Sequence, residues 1–279
     1  MCSSTKTTST ATGVSSADRS SGSGGGKCFR RIRRLAGEAV AAYDMIAAGD
    51  RVLVGLSGGR DSLVLLETLI HLAARAPVDF TVGAITFDPG FPGFNAAGVG
   101  AYCRARGILH ETIALDIPAI LAAHRNTGRT RRPCVLCSRL RRGRLYRFAR
   151  ERGFNKLALG QHLDDVLASF LISLWRGHGL STMAPRVAAD TADGGNPLAI
   201  IRPLVFASEE QVKAAAGEFA FPEAGRCLYH DELEASGDRA WAERQIAFWE
   251  NRIPHVRQNM LRSLRDVRPA WLLDRRFLP

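Results

Sequence analysis

The sequence contains, in immediate succession, Arg51-Val-Leu-Val-Gly-Leu56, Ser57-Gly-Gly-Arg-Asp-Ser62 and Leu63-Val-Leu-Leu-Glu-Thr-Leu-Ile70. The first part is short, apolar and β-branched, the second holds two adjacent glycines, and the third has leucines at helical spacing. This order predicts a buried strand, a tight loop and a helix that begins near Asp61 or Ser62. Such a loop suits a phosphate, because Gly58 and Gly59 let backbone N–H groups approach oxyanions and the helix start adds unpaired donors.

The glycine loop differs from the common P-loop, because Asp61 stands where that motif has its lysine. A clamp on a γ-phosphate is therefore not expected. A simple Gly-Ser turn is the alternative interpretation, but the strand and helix on either side favour nucleotide binding. The candidate nucleotide-binding residues of this loop are Ser57, Gly58, Gly59, Arg60, Asp61 and Ser62.

Composition limits the class of protein. The chain has 279 residues, of which 46% are hydrophobic, enough for one generous domain or for one domain plus a small appendage. The net charge of +11 favours a polyanionic partner, with RNA or DNA first. Apolar runs stay below the roughly 18 residues that a membrane span needs, so we expect a cytoplasmic protein without membrane contact. Six cysteines, two of them in one C-x-x-C, fit reduced thiols used for metal or sulfur chemistry.

Three regions can be predicted along the chain. Residues 1–28 are rich in Ser, Thr and Gly and are expected to be a disordered tail, whose composition also resembles an organellar transit peptide. Residues 29–236 form the main domain. Residues 237–279 form a C-terminal helical extension, whose aromatic residues favour core or dimer packing.

Short apolar strands alternate with helical segments through the main domain. Strands are predicted at Val78–Phe87, Ile108–Leu115 and Ala199–Leu204. This alternation predicts an α/β fold with a parallel sheet and helices on both faces. Because ligands of open α/β sheets bind at the carboxyl ends of the strands, Ile85 and Phe87 are candidates to contact adenine and ribose.

A second polar cluster follows the predicted strand Lys156–Gly160. The sequence continues Gln161-His-Leu-Asp-Asp165 into an apolar helix. We assign Gly160, His162 and Asp165 to the nucleotide site, with His162 facing the α-phosphate and Asp164 or Asp165 holding Mg²⁺. An acid at a helix start is also an ordinary cap.

The pair Cys134-Val-Leu-Cys137 opens a helix that runs to about Arg152. Two cysteines three residues apart lie on one side of a helix, where the dipole helps hold thiolates for metal binding or sulfur transfer. Alone, the pair fits half a zinc site, a redox pair or two buried thiols. The arginines of the same helix suit phosphate contacts, and a solvated basic face is the alternative.

Taken together, these motifs resemble the tRNA 2-thiocytidine synthetase (TtcA) family of the PP-loop ATP pyrophosphatase superfamily. The resemblance rests on S-G-G-x-D-S, on C-x-x-C followed by S-R-L-R-R-G-x-L-Y, on K-x-A-L-G-x-H-x-D-D and on Ile201-Arg-Pro-Leu204. It covers roughly Arg30 to Val267, and it implies a Rossmann-like fold of the adenine nucleotide alpha hydrolase type.

The resemblance also implies a cofactor. The family holds a [4Fe-4S] cluster on three cysteines, which correspond here to Cys134, Cys137 and Cys227. His230 stands where the family has a further cysteine, and it is either a fourth ligand or a surface side chain. Arg60 replaces the usual lysine of the family and Gln161 its usual histidine.

The implied activity is that of an ATP-dependent tRNA sulfurtransferase. ATP with Mg²⁺ would adenylate the C2 oxygen of cytidine 32 in tRNA, and sulfur from the cluster would then displace AMP to give 2-thiocytidine. Asp61, Cys134, Cys137 and Cys227 are the candidate catalytic residues. A cysteine desulfurase is the expected sulfur donor, and a homodimer is the expected assembly. The alternatives are a PP-loop enzyme that thiolates another tRNA base and a non-catalytic, metal-stabilised RNA-binding module.

Overall fold

The computed structural model describes residues 25–125, 133–189, 197–225, 227, 235 and 237–277. The side chains of residues 124, 125 and 133–135 are not part of that description, although their backbone lies in helices. The predicted tail before residue 25, the side chain of Cys134 and all of His230 therefore lie outside the described residues.

Strands and helices alternate along most of the chain. The strands are β1 (Arg51–Leu56), β2 (Thr81–Asp88), β3 (Leu109–Ala114), β4 (Lys156–Ala158), β5 (Arg186–Ala188) and β6 (Ala199–Ile201). The helices are α1 (Lys27–Ala42), α2 (Arg60–Ala73), α3 (Ala96–Ala105), α4 (Ile117–Arg125), α5 (Pro133–Glu151), α6 (Leu163–Trp175), α7 (Glu209–Ala216), α8 (Asp238–Glu250) and α9 (Val256–Arg265). Two short 3₁₀ turns follow, at Pro269–Trp271 and Arg275–Phe277.

The sheet has the strand order β3-β2-β1-β4-β6-β5, so that β1 lies in its interior. Val54 of β1 pairs with Ala84 of β2 on one side and with Ala158 of β4 on the other, and both pairings are parallel. Only β5 runs antiparallel, along the edge formed by β6. The predicted parallel sheet is confirmed, and β5 is an additional strand beyond those predicted from the sequence.

Alternate side chains of β1 enter cores on opposite faces of the sheet, as the period of a strand requires. Val52, Val54 and Leu56 pack with α1, α2, α3 and α7. Leu53 faces the other way, where it packs with Leu145 of α5. The prediction of helices on both faces is therefore confirmed.

The helices α8 and α9 pack together against α6. Leu167 of α6, Ile246 of α8 and Val256 of α9 share a buried cluster. The chain turns between these two helices near Pro254, because α8 ends at Glu250 and α9 begins after His255, whose φ is 61°. Across the described ranges, no helix is long and apolar enough to cross a bilayer.

Candidate active site

The glycine loop connects the carboxyl end of β1 to α2, which begins at Arg60, one residue before the predicted start. The Ser57 N–H donates to Ser62 Oγ at 3.2 Å, and Ser62 Oγ donates to the Gly59 carbonyl at 2.8 Å. The Gly59 N–H donates to Ser57 Oγ at 3.2 Å. Both serine hydroxyls therefore fix the shape of the loop, with Ser62 buried and Ser57 exposed at the rim.

Gly58 lies in close contact with the segment that precedes Cys227. Its φ is +80°, and a Cβ at this position would overlap the Cβ of Ala224. That segment is also held from its other side, since the Asn95 N–H donates to the Ala224 carbonyl at 3.0 Å and Asn95 Nδ2 to the Glu223 carbonyl at 3.3 Å. The chain leading to Cys227 is thus fixed directly beside the loop.

Gly160 brings the end of β4 against the first turn of α2. A Cβ on Gly160 would lie 3.0 Å from Ser62 N and 3.1 Å from the Asp61 carbonyl carbon. Only a glycine permits this approach without a shift of the backbone. The approach brings the following residues, His162 and Asp165, next to Asp61, as the sequence predicts.

These three side chains form a buried polar group. His162 is 2% exposed and lies at the N-terminus of α6, with its Nε2 3.5 Å from Asp165 Oδ2. Burial raises the pKa of Asp61; the charge of His162 opposes this rise and that of Asp165 adds to it. Asp61 Oδ1 and His162 Nδ1 are buried without a hydrogen-bond partner among the described residues. A buried carboxylate oxygen without a donor fits a cation or a ligand donor beside the loop.

Asp164 and Asp165, which follow His162 in the sequence, contact residues of α7, α8 and α9. Asp164 accepts hydrogen bonds from the Glu209 N–H at 2.7 Å and from Arg257 Nε at 2.8 Å, one on each carboxylate oxygen. Asp165 forms an ion pair with Arg239 of α8 through Oδ1. Asp164 thus acts as a cap for α7. Asp165 Oδ2 also accepts a hydrogen bond from the His162 N–H at 2.9 Å, so each of these two acids is engaged through both oxygens, and Asp61 Oδ1 is the carboxylate oxygen that the described residues leave for Mg²⁺.

Arg202 also lies beside this site. It belongs to the motif Ile201-Arg-Pro-Leu204, for which the sequence predicts no role. Its Nε donates to Gln161 Oε1 at 3.1 Å, and its NH1 donates to the Ala184 carbonyl. Burial lowers the pKa of Arg202, while Asp165 acts against that change. The sequence feature that could have identified Arg202 is its position directly after β6, at the carboxyl edge of the sheet where ligands bind. Arg239 and Arg257 have no comparable signal, because they meet the site only through tertiary packing.

The cysteine site consists of Cys134 and Cys137 of α5 and of Cys227. Cys137 is half-buried, Cys227 is exposed, and both are free thiols. Burial raises the pKa of the Cys137 thiol, Arg141 lowers it, and Cys227 raises it further, which puts Cys227 in the immediate electrostatic environment of Cys137. The expectation that the helix start holds a thiolate is therefore wrong for Cys137 in the metal-free chain, because burial outweighs the favourable charges.

The geometry of the full cysteine triad is not described, since it includes the Cys134 side chain. Within the described ranges, no three His, Cys, Asp or Glu side chains lie close enough together to hold a metal ion. Cys134 begins the same helix as Cys137, one turn earlier. Its participation in a shared metal centre stays a prediction.

The two residues predicted to contact adenine and ribose differ in their surroundings. Ile85 is fully buried in the core between the sheet and α5, so its side chain offers no surface to a nucleotide. Phe87 lies at the carboxyl end of β2, and the Arg141 guanidinium lies 5.3 Å from its ring centroid. Phe87 thus lies close to the cysteine site, and its contact with a nucleotide stays a prediction.

Comparison with known proteins identifies relatives across most of the chain. The family model described as "PP-loop domain" matches residues 30–220. The tRNA-cytidine(32) 2-sulfurtransferase of Pseudomonas fluorescens (strain SBW25) is 38% identical over 251 residues, covering 89% of this chain and 88% of the relative. The protein of the same name from Azotobacter vinelandii is 38% identical over 253 residues, covering 90% and 89%.

A solved structure shares the fold. It is a U34-tRNA thiolase from Methanococcus maripaludis with its [4Fe-4S] cluster, at a TM-score of 0.61 and 22% identity, covering 87% of this chain and 80% of that one. At this identity the likeness concerns the fold alone. From the loop geometry and the two sequence relatives, the chain belongs to the PP-loop domain family and, within it, to the tRNA-cytidine(32) 2-sulfurtransferases.

Proposed function

We propose that this chain is an ATP-dependent tRNA sulfurtransferase that replaces the C2 oxygen of cytidine 32 with sulfur. The observation that carries the proposal is the contact between Gly58 and Ala224, which joins the nucleotide loop to the segment bearing Cys227. Such a contact supports base activation and sulfur delivery at one site. The 38% identity to named tRNA-cytidine(32) 2-sulfurtransferases supplies the substrate.

The loop from Ser57 to Ser62 would bind the pyrophosphate portion of ATP. Its N–H groups and the start of α2 offer donors and partial positive charge. Arg60 is exposed at the rim and adds a full charge. Asp61 Oδ1 is the oxygen best placed to order Mg²⁺ on the phosphates, because it lacks a described partner and hard cations prefer carboxylates. Asp165 would have to release Arg239 to become a second ligand.

The first chemical step activates the base. The cytidine C2 oxygen attacks the α-phosphorus of ATP, the bond between the α-phosphorus and the bridging oxygen breaks, and pyrophosphate leaves. Preorganised charge around the phosphates lowers the barrier of such a transfer. Sulfide then attacks C2, and AMP leaves with the original C2 oxygen.

The residues present fit an iron–sulfur cluster on Cys134, Cys137 and Cys227. Cys227 contributes to the electrostatic environment of Cys137, and cysteine thiolates are the ligands that iron–sulfur clusters use. A bound cluster supplies an iron site that can hold sulfide for transfer. The protein's part is to hold the Cys227 segment against the loop through Gly58 and Asn95.

Two finer points of the proposal concern partners. A cysteine desulfurase would supply the sulfur as a persulfide, which a dithiol reductant would convert to sulfide while it forms a disulfide, because the reaction consumes one sulfide per tRNA. A homodimer is the proposed assembly, and exposed apolar residues such as Trp241 and Phe248 on α8 provide surface for packing between subunits.

Complementation tests the function. The chain is expressed in a bacterial strain that lacks its own tRNA-cytidine(32) 2-sulfurtransferase, and the nucleosides of purified tRNA are analysed by mass spectrometry. We expect 2-thiocytidine to return with the wild-type chain and to stay absent with Cys227→Ala. A 2-thiouridine product would assign another base, and RNA binding without any ATP turnover would favour the non-catalytic module.

A further inference from the structure

Helix α5 carries an unusual density of positive charge. Its sequence from Pro133 to Glu151 contains six arginines, and Glu151 is its one acid. Four of these arginines are exposed: Arg139, Arg142, Arg144 and Arg147. Within the part of the chain that the structure describes, none of the four forms an ion pair with an acid.

Exposed arginines elsewhere are commonly neutralised. Arg152, just beyond α5, pairs with Glu111 at 2.8 Å, and Arg176 pairs with Asp238 at 2.7 Å. Arg34 on α1 pairs with Glu38 at 2.5 Å. The missing acids on α5 therefore leave a concentrated positive field, which attracts polyanions.

The position of this surface connects it to the chemistry. Cys137 lies in the first turns of α5, and Arg139 and Arg142 follow it by roughly 3 to 8 Å along the helix axis. Arg144 and Arg147 continue away from the cysteine site. A nucleic acid strand that follows α5 would therefore reach the cysteine site at the start of the helix.

We propose that Arg139, Arg142, Arg144 and Arg147 form the phosphate-binding surface that docks tRNA next to the cysteine site. The inference rests on the proposed function in taking tRNA as the partner. Guanidinium groups pair with phosphate oxygens in a bidentate way, and such contacts position a nucleic acid without reading its sequence. The surface sets orientation and affinity, and recognition of the base belongs to the active site.

A second basic group offers a matched control. Arg30 and Arg31 on α1 are also exposed, and no described acid pairs with them. They lie on the opposite face of the sheet, close to Arg33, which contacts His71 near the end of α2 that is remote from the loop. Replacing them removes the same formal charge from a surface on the other side of the sheet from Cys137.

The test compares Arg144→Gln/Arg147→Gln with Arg30→Gln/Arg31→Gln in the full chain. Glutamine keeps helix propensity, so both variants should fold, which circular dichroism and the unfolding temperature will check. Binding of a full-length tRNA is measured by fluorescence anisotropy from about 50 to about 300 mM salt. We expect the α5 variant to bind tRNA about tenfold more weakly. The slope of log K against log salt should become less negative by about 1.5. The α1 variant should change by less than about twofold in affinity.

Each outcome of this comparison either supports or overturns the proposed docking surface. Equal losses in both variants would show that binding follows net charge, and an unchanged α5 variant would show that tRNA docks elsewhere; both outcomes overturn the proposal. An Arg139→Gln/Arg142→Gln variant repeats the test nearer to Cys137 should the first pair disturb folding. The wild-type chain is also assayed for thiolation. If it binds tRNA but forms no 2-thiocytidine, the proposed function is refuted. The comparison of the two variants in tRNA binding still tests the docking surface in that case.

Discussion

Ala224 occupies the space beside Gly58 in which any other residue would place its Cβ. Three residues after Ala224 the chain reaches Cys227, and from Gly58 it continues into the first turn of α2. The nucleotide loop therefore packs against the segment that ends shortly before one cysteine of the proposed sulfur centre. A change at Gly58 should affect both.

Gly58→Ala should reduce activity sharply. Its φ of +80° costs an alanine of the order of 1–3 kcal/mol, and the methyl group must displace Ala224. We expect tRNA-dependent pyrophosphate release to fall by about 100-fold or more, because small displacements of reacting groups are costly. Gly37→Ala is the control: Gly37 lies within α1, a Cβ there meets no atom within 4 Å, and the change should stabilise α1 by about 0.5–1 kcal/mol with activity unchanged. Similar activity of the two variants would contradict the assigned role of Gly58.

The ion pairs of the C-terminal helices should differ in their contributions to stability. Arg257→Gln leaves the Asp164 side chain, 8% exposed, without its cation, and should cost about 2–3 kcal/mol in urea unfolding. Arg239 pairs with an equally buried acid, Asp165 at 5% exposed, but its own side chain is 56% exposed against 20% for Arg257, so water screens this pair more and Arg239→Gln should cost less than Arg257→Gln. A reversed order would show that α8, rather than α9, secures the start of α6.

Asp61→Asn should stabilise the ligand-free protein while it abolishes activity. Because burial raises the pKa of Asp61 above its ordinary value of 3.8, the folded state binds that proton more tightly than the unfolded state. Stability therefore falls as pH rises from the ordinary value through the raised one, and the full cost is present at neutral pH. The variant's advantage in unfolding free energy should be largest near neutrality and vanish in acid. An advantage independent of pH would rule out ionisation as its cause.

The cysteine variants should separate the cluster ligands from the other thiols. Protein prepared without oxygen should be brown, and Cys137→Ala or Cys227→Ala should remove the visible absorbance together with iron and sulfide. Cys28→Ala is the control, because Cys28 lies at the start of α1 and packs against the core on its face of the sheet. Colourless protein with one tightly bound zinc would contradict the proposed cluster.

The sheet and the loop could be predicted from the sequence because their signals are local. A β-branched run before Gly58 and Gly59, with leucines after them, identifies the strand, the turn and the helix without knowledge of contacts. Strand β5 could not be found in this way, since it has three exposed residues at a sheet edge and is defined only by its pairing with β6. Helix α4 was missed as a separate element because it is short and lies between a strand and a basic segment.

The sequence predicted which polar residues meet at the candidate site, but it did not predict which charged groups pair with them. His162 and Asp165 meet Asp61 as expected, because the carboxyl ends of parallel strands share one edge. The two arginines of α8 and α9 could not be foreseen, since packing around α6 alone brings them there. The pKa of Cys137 depends on burial, which the position of a cysteine at a helix start does not reveal.

The central claim is that ATP activates the cytidine C2 oxygen and that AMP leaves with it. The most direct measurement uses tRNA with a heavy-oxygen label at that position, incubated without oxygen with the reconstituted protein, ATP, Mg²⁺ and sulfide. Mass spectrometry should find the label in AMP, in equal amount to the 2-thiocytidine formed. Unlabelled AMP, or ADP in its place, would contradict the account.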